Sequence, residues 1–181
     1  MLSALGRLRR RVGRLPEGSP ALAGLRLGYR VAYLALTAYW RVWHPHGRGA
    51  QLVLLDGDRV ILVRHTYRAP STWMLPGGTV RRGEAFRAAA VREADEELGL
   101  SLHDLTLLLS YTVYREHKHD EVTVFVAEVP QEGEVVVDRA ELAEARWWLT
   151  DGLPGSLDDG DRGVLEALPA DLLEELVTRA E

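Results

Sequence analysis

One segment, residues 78–100 with the sequence GTVRRGEAFRAAAVREADEELGL, constrains the fold of this chain more than any other. Four of the acids in its second half are crowded into a short run: Glu93, Asp95, Glu96 and Glu97. Like charges one turn apart destabilise a helix by about 0.2–0.5 kcal/mol per pair. The crowding therefore indicates either an acidic exposed helix or a helix whose carboxylates surround a positive charge.

The spacing of three of these acids predicts that they share one helical face. Glu93, Glu96 and Glu97 stand at i, i+3 and i+4, and such positions are neighbours on the surface of an α-helix. Clustered oxygen ligands without sulfur suit a hard cation such as Mg²⁺ or Mn²⁺. Because a bound cation would remove the repulsion between the carboxylates, the pattern predicts a metal site.

The whole segment resembles the signature motif of the Nudix hydrolases. That signature is a glycine, five residues, a glutamate, seven residues, and then Arg-Glu-aliphatic-x-Glu-Glu-x-Gly-aliphatic. Its invariant positions are all filled here, by Gly78, Glu84, Arg92, Glu93, Glu96, Glu97 and Gly99, with Ala94 and Leu100 at the apolar positions. The resemblance implies an α/β fold of the Nudix type, which is an α/β/α sandwich around a mixed β-sheet.

The resemblance also implies a task for each charged residue of the motif. Glu96 and Glu97 would be the principal metal ligands, and Glu93 would be a further ligand or the group that activates water. Arg92 would orient these carboxylates, and Glu84 would brace the opposite end of the loop–helix–loop. The metal would bridge diphosphate oxygens and lower the pKa of a bound water.

Residues outside the acidic helix are expected to bind the substrate. Gly78 lets the backbone approach a phosphate closely, and the other predicted contacts are Arg64, Arg68, Tyr67 and Tyr114. Arginines suit forked contacts to phosphate and aromatic rings stack on bases, although solvent exposure and core packing are the competing interpretations. Weaker candidates are two more aromatic residues and three acids that could complete the metal site or act as base: Trp73, Phe125, Asp120, Glu121 and Glu144.

These features predict a Mg²⁺-dependent pyrophosphohydrolase that cleaves a diphosphate linkage in a nucleoside diphosphate derivative or a nucleoside triphosphate. Two alternatives remain open. One is the removal of pyrophosphate from an RNA 5′ end, and the other is a non-catalytic Nudix module that senses a nucleotide. The intact motif argues against the second alternative, because sensor modules usually have a degraded motif.

The charge of the chain is unevenly distributed. Residues 1–48 contain nine arginines and a single acid, Glu17, which gives +8, so the net −5 of the whole chain leaves −13 on the rest. This asymmetry predicts a basic N-terminal arm on an acidic domain, and the arm could assist RNA binding through phosphate contacts. The predicted division is a basic arm and apolar helix over 1–47 and a Nudix hydrolase domain over 48–181.

Residues 21–43 are predicted to form a long helix that ends before Pro45. One stripe of large apolar residues follows three-and-four spacing, and a second stripe consists of Leu27, Val31, Leu34 and Val42. A helix so apolar around its circumference is normally buried. We expect it to pack on its own domain and to form a homodimer interface; binding at a membrane surface is a third interpretation. Arginines interrupt it too often for a membrane span.

The absence of cysteine excludes structural disulfides, thiolate metal sites and cysteine nucleophiles. The cytoplasm is the expected location, since disulfides persist mainly in oxidising compartments. The basic first twenty residues also lack the apolar run of a secretory signal.

The remaining elements are predicted from alternation and turn residues. A β-hairpin is expected around Gly57, and a helix over 84–98 is expected to end at Gly99. Strands are predicted over 105–114, 121–129 and 145–150, and a helix interrupted at Pro169 over 160–180. This irregular mixture of strands and helices favours a mixed sheet between helices.

Overall fold

A computed structural model describes residues 15–129 and 135–169 of the chain. The basic arm before residue 15 and most of the helix predicted over 160–180 lie outside the described residues. The helices are α1 (Pro20–Trp43), α2 (Phe86–Leu98) and α3 (Asp159–Glu166). The strands are β1 (His46–Asp56), β2 (Arg59–His65), β3 (Gly77–Thr79), β4 (Thr106–Arg115), β5 (Lys118–Glu128) and β6 (Leu142–Leu149).

The strands form one mixed sheet in the order β4-β5-β1-β2-β6, and β3 also pairs with β1. Strands β1 and β5 are parallel, while the other pairs are antiparallel. Helix α2 covers one face of the sheet, and α3 covers the other. The predicted α/β/α sandwich around a mixed sheet is therefore confirmed. Strand β1 begins two residues before the predicted start of the domain at residue 48.

Strands β1 and β2 pair with each other near their turn and separate further along, and the gap between them positions the site. Near the turn, where Gly57 has a φ of 59°, β1 and β2 pair directly. Further along, β3 pairs with β1 instead, and Met74 pairs with Val63 of β2. The segment 73–79 therefore lies between the two strands. This insertion places Gly77 and Gly78 in the middle of the sheet, where α2 crosses it.

Helix α2 packs its small apolar side chains on the sheet, as its sequence predicts. Ala90, Ala94 and Leu98 are fully buried in the same cluster as the inward residues of β1. The helix ends at Leu98 because Gly99 takes the left-handed conformation, with a φ of 69°. It begins at Phe86, two residues later than predicted. Because the apolar face is held by the sheet, the acidic face has a fixed direction.

Helix α1 is confirmed, and its expected packing on its own domain holds for one of its faces. Leu22 is buried, and one face of the helix contacts the domain. The second apolar stripe is exposed, with Leu34 at 66% of its accessible surface. The physical reason is geometric, since a helix that lies on the outside of a domain has only one of its own faces covered by that domain. No helix among the described residues combines the length and the apolar character needed to cross a bilayer.

A buried acid of α3 ties this helix to the centre of the sheet. The carboxylate of Asp161, which is fully buried, accepts hydrogen bonds from the backbone N–H of Leu75 and the side-chain amide of Gln51, both at 2.8 Å. The Tyr111 hydroxyl donates to the same amide group of Gln51 at 2.9 Å. Burial raises the pKa of Asp161 to about 6. This network fixes the segment that leads into Gly77.

Candidate active site

Arg92 is the residue that orders the acidic motif. Its guanidinium grips Glu84 with two hydrogen bonds, of 2.8 and 3.0 Å, and donates to the Thr79 carbonyl at 3.0 Å. It also contacts the carboxylates of Glu93 at 2.6 Å and Glu96 at 3.2 Å. One side chain thus joins the loop before α2 to two acids of the helix. The orienting task that the motif implies for Arg92 stays a prediction, and it would use these contacts.

The grip of Arg92 makes the ionised form of Glu84 favourable in the fold. The Arg92 hydrogen bonds, with a further bond from the Arg81 backbone N–H, lower the pKa of Glu84 to about 2, from 4.5 in an unstructured chain. A carboxyl with a lowered pKa stabilises the fold above its unfolded pKa. That stabilisation is lost as the pH falls from 4.5 towards 2.

Replacing Glu84 by Gln should therefore destabilise the protein in a pH-dependent way. At pH 7 we expect the Glu84→Gln variant to melt below the wild type, because the ion pair with Arg92 is lost. The gap between the two proteins should narrow as the pH falls below 4.5. Thermal unfolding at pH 7 and pH 3.5 measures this difference in melting temperature. The control is Asp104→Asn, at an exposed acid. A gap of constant size would contradict the prediction.

Glu97 is the most deeply buried acid of the motif, with 1% of its surface exposed. Its carboxylate accepts a hydrogen bond from the backbone N–H of Gly77 at 3.1 Å. Gly77 has a φ of 149°, and a Cβ there would overlap the backbone carbonyl oxygen of Ala50. A Cβ at Gly78 would overlap the carboxylate of Glu93. Glycine is therefore required at position 77, whereas a side chain at position 78 would displace the Glu93 carboxylate from its contact with Arg92.

Glu97 also meets two residues from outside the motif. The ligand atoms of Glu97, His65 and Glu141 all lie within 4.8 Å of one another. His65 is the last residue of β2, and Glu141 directly precedes β6. The backbone N–H of Thr66 donates to the Glu141 carbonyl at 2.9 Å, which holds the two strand ends together. The sandwich thus brings three potential metal ligands to one point.

The donors of this cluster fit a divalent cation. Burial, with a smaller contribution from the nearby Arg68 guanidinium, lowers the pKa of His65 to about 3. His65 is therefore neutral near pH 7, and its buried Nδ1 has no hydrogen-bond partner within the described structure. The two carboxylates are donors that suit Mg²⁺ and Mn²⁺, while the neutral imidazole is a donor that first-row transition metals accept more readily than Mg²⁺ does. The Tyr67 ring packs against the His65 ring at a tilt of 37°, with their centroids 5.0 Å apart.

A cavity of about 370 Å³ opens beside this cluster. Of the predicted substrate-binding residues, Gly78, Tyr67 and Arg68 line it. Arg64 and Tyr114 do not. Arg64 pairs with Glu144, and Tyr114 contacts histidine rings on the outer side of β4.

The weaker candidates have other partners. Trp73 and Phe125 are buried in the core. Among the acids, Asp120 lines the cavity but pairs with Lys118, and Glu121 pairs with Arg48.

Two residues of the site, His65 and Glu141, were missed by the sequence reasoning. Glu141 lies three residues before Glu144, one of the acids that were predicted to complete the metal site. His65 had no signal beyond its position at the end of an apolar strand.

The chain matches the family described as NUDIX domain over residues 45–168. It is similar to the NAD-capped RNA hydrolase NudC of Escherichia coli, with 33% identity over 97 residues. That match covers 54% of this chain and 37% of NudC, so the chain corresponds to little more than a third of the length of this relative.

Solved structures share the architecture. The MutT NUDIX hydrolase from Burkholderia pseudomallei is 29% identical, with a TM-score of 0.61, over 68% of this chain and 98% of that one. The MutT/nudix family protein from Enterococcus faecalis has a TM-score of 0.63 over 91% of this chain and 80% of that one. Its identity is 17%, so this likeness shows the fold alone.

Proposed function

Because the chain belongs to the NUDIX domain family, we propose that it is a Mg²⁺-dependent pyrophosphohydrolase, with Mn²⁺ as a possible substitute. Its substrate in this proposal is a nucleoside diphosphate derivative or a nucleoside triphosphate, cleaved at a diphosphate linkage. The observation that carries the proposal is the meeting of Glu97 with His65 and Glu141 beside Gly77, at one end of the cavity. The cytoplasm is the compartment we propose, since it suits a cysteine-free chain.

The proposed cation ligands are Glu97, His65 and Glu141. Glu93 and Glu96 lie on the same face of α2 as Glu97. When bound, a divalent cation supplies positive charge to diphosphate oxygens and favours ionisation of an attacking water. The residues of the chain hold this arrangement in place before substrate arrives. Arg92 fixes the carboxylates of Glu93 and Glu96 by direct contacts. Such preorganisation lowers the reorganisation required during the reaction.

The phosphate-binding end of the cavity would use backbone and cationic groups. Gly77 and Gly78 line the cavity without side chains, so a phosphate can approach the acidic helix closely. Arg68 also lines the cavity, where its guanidinium is paired with Glu116 at 2.6 Å. An arginine in this position suits a forked contact with phosphate oxygens.

The proposal is tested by metal-dependent turnover across a panel of diphosphates. The panel contains nucleoside triphosphates, ADP-ribose, nucleotide sugars, NADH, coenzyme A and capped RNA, with products analysed by mass spectrometry in ¹⁸O-water. We expect turnover of one class that is abolished by EDTA and restored by Mg²⁺. The position of the label identifies the phosphorus atom that water attacks. Binding of a nucleotide without any turnover would instead support the sensor alternative.

A second candidate substrate is an RNA that carries a dinucleotide at its 5′ end. It is favoured by the similarity to NudC, which is named as an NAD-capped RNA hydrolase, and by the +8 charge of residues 1–48. Basic contacts to RNA phosphates make binding steeply dependent on salt. NAD-capped RNA and free NAD should therefore be compared at 50 and 200 mM salt. A steep salt dependence for the RNA alone would favour this candidate.

We also propose that the exposed stripe of α1, formed by Leu27, Val31, Leu34 and Val42, is a homodimer interface. These four side chains are 57–66% exposed and lie on one face of the helix. A single helix face of this kind can pair with its own copy about a two-fold axis. Exposed apolar patches of this type commonly mark interaction surfaces.

The oligomeric state tests this interface. We expect the wild type to sediment as a dimer and Leu34→Glu as a monomer, because a charge would be buried without a partner. Ala21→Glu adds the same charge at the exposed start of the helix, away from the stripe, and should remain dimeric. A monomeric wild type at micromolar concentration would contradict the interface.

A further inference from the structure

One side of the cavity is formed by a helix that the acidic motif does not contain. Gly77 and Gly78 line the cavity beside the acids of α2. Helix α1 lines it from Tyr29, whose hydroxyl donates to the Glu141 carboxylate at 3.4 Å, to Trp40, about 16 Å further along the helix. A substrate whose diphosphate lies beside the glycines could therefore extend its remaining part along α1 towards Trp40.

The surface that α1 presents to the cavity is aromatic and continuous. Tyr29, Tyr33, Leu36 and Trp40 are spaced by four, three and four residues, so they lie on one helical face. The Tyr33 ring contacts those of Trp40 and Tyr67, and the Tyr29 ring contacts that of Tyr67, with centroid distances of 5.2–6.3 Å. We call these four residues the aromatic wall. The wall precedes the region that matches the family, which begins at residue 45.

The aromatic wall is held against the domain along its length. Arg26 and Arg30 of α1 donate to the backbone carbonyls of Arg139 and Thr66, at 3.0 and 3.1 Å. The Tyr33 hydroxyl donates to the carboxylate of Glu116 at 2.7 Å. These contacts join α1 to three separate parts of the domain. The wall is therefore a fixed side of the cavity.

Cations lie over the aromatic rings of the wall. The Lys118 ammonium is 4.6 Å from the centroid of the Trp40 ring, and the Arg68 guanidinium carbon is 5.6 Å from that of Tyr33. A base that stacks on Trp40 would use the opposite face of the ring or replace Lys118 over it, and the displaced cation would then stand beside the phosphate attached to that base. The volume of about 370 Å³ falls in the range of small-molecule sites.

We propose that the aromatic wall, and Trp40 in particular, binds the nucleobase of the substrate by stacking. The proposal rests on the proposed function and deepens it, because it restricts the substrate to diphosphates that carry a base near the cleaved linkage. It assigns base binding to a helix that lies outside the family match. Stacking tolerates every base because each has a π-face, so the wall selects for a base rather than for one base.

The test is calorimetric binding of two ligands that differ only by the base, AMP and ribose 5-phosphate, to the full chain in Mg²⁺. We expect the wild type to bind AMP more tightly than ribose 5-phosphate. Trp40→Ala should lose roughly 10-fold in AMP affinity, the value typical of one stacking contact, and keep its affinity for ribose 5-phosphate. The matched control is Trp43→Ala, because Trp43 is 66% exposed and stacks on Tyr39 outside the cavity.

Three results would overturn the proposal. The first is that the wild type binds AMP and ribose 5-phosphate equally well or binds neither. The second is that Trp40→Ala keeps the AMP affinity of the wild type. The third is that Trp40→Ala loses the same affinity for both ligands. If Trp40→Ala does not fold, Trp40→Leu retains apolar bulk without an aromatic face and tests the same contact. The substrate panel remains separate. A chain that prefers AMP through Trp40 but hydrolyses no diphosphate would refute the proposed function and leave the wall intact.

Discussion

Replacing Glu97 by Gln is expected to lower kcat by about 10³-fold, which corresponds to about 4 kcal/mol of transition-state stabilisation. Glu97 is the acid shared by the motif and by the cluster with His65 and Glu141. Glutamine keeps the size of the side chain and an oxygen for the Gly77 N–H. It removes the negative charge that a divalent cation requires. The measurement is kcat at saturating substrate and Mg²⁺, with the substrate that the panel identifies.

A second readout separates loss of metal from loss of fold. The wild type should melt at a higher temperature when Mg²⁺ is added, because a ligand of the folded state stabilises it. Glu97→Gln should fold but show little of this shift. Asp95→Asn is the matched control, since it removes a charge two residues away at the variable position of the motif. Full Mg²⁺-dependent turnover by Glu97→Gln would refute the assignment of Glu97.

Replacing Asp161 by Ala is expected to lower the free energy of unfolding by about 3 kcal/mol at pH 6. The change leaves the buried donors of Leu75 and Gln51 without an acceptor, and each such group costs about 1–3 kcal/mol. For a protein of this size the melting temperature should fall by roughly 6–12 °C. Urea unfolding measures the free energy, and calorimetry measures the melting temperature.

The size of this deficit should depend on pH. Burial raises the pKa of Asp161 to about 6, above the 3.8 of an unstructured chain. Stability from such a group is fully present below pH 3.8 and is lost as the pH rises from 3.8 through about 6. The gap between wild type and Asp161→Ala should therefore be smaller at pH 8 than at pH 4. Asp159→Ala, at an exposed acid on the same helix, is the control, and an equal loss there would contradict the explanation.

Local patterns in the sequence were sufficient to predict most of the fold. The hairpin around Gly57, the acidic helix with its glycine end, and the long helix before Pro45 are each determined by a few neighbouring residues. The contact between Arg92 and Glu84 was also predictable, because their spacing belongs to the motif. Structure that depends on such short-range spacing is set by neighbouring residues. It can therefore be predicted without knowing how the elements pack together.

The site residues outside the motif could not be predicted, because their positions depend on strand register. In the pairing of β2 with β6, Arg64 lies opposite Glu144, whereas His65 lies opposite Leu142. This irregularity skips Ala143 and brings Glu141 to the end of β2 beside His65. One residue of shift would exchange the two faces of the strand. Nothing in the sequence specifies such a shift, so Glu144 was predicted and Glu141 was missed.

The exposure of the second stripe on α1 could not be predicted for a related reason. Hydrophobic periodicity shows that Leu27 and Leu34 belong to an apolar face, but it does not show what covers that face. Within the single chain, the domain covers only the side that carries Tyr33 and Trp40.

The position of α1 has a practical consequence for anyone who shortens this protein. A version that starts at Pro45 would keep every residue of the family match and the complete acidic motif. It would nevertheless lack the tyrosines and the tryptophan that close one side of the cavity, and Tyr67 would be uncovered. If the aromatic wall binds the base as proposed, that version should lose its selectivity for substrates that carry a base. The family match and the proposed substrate site therefore begin at different residues.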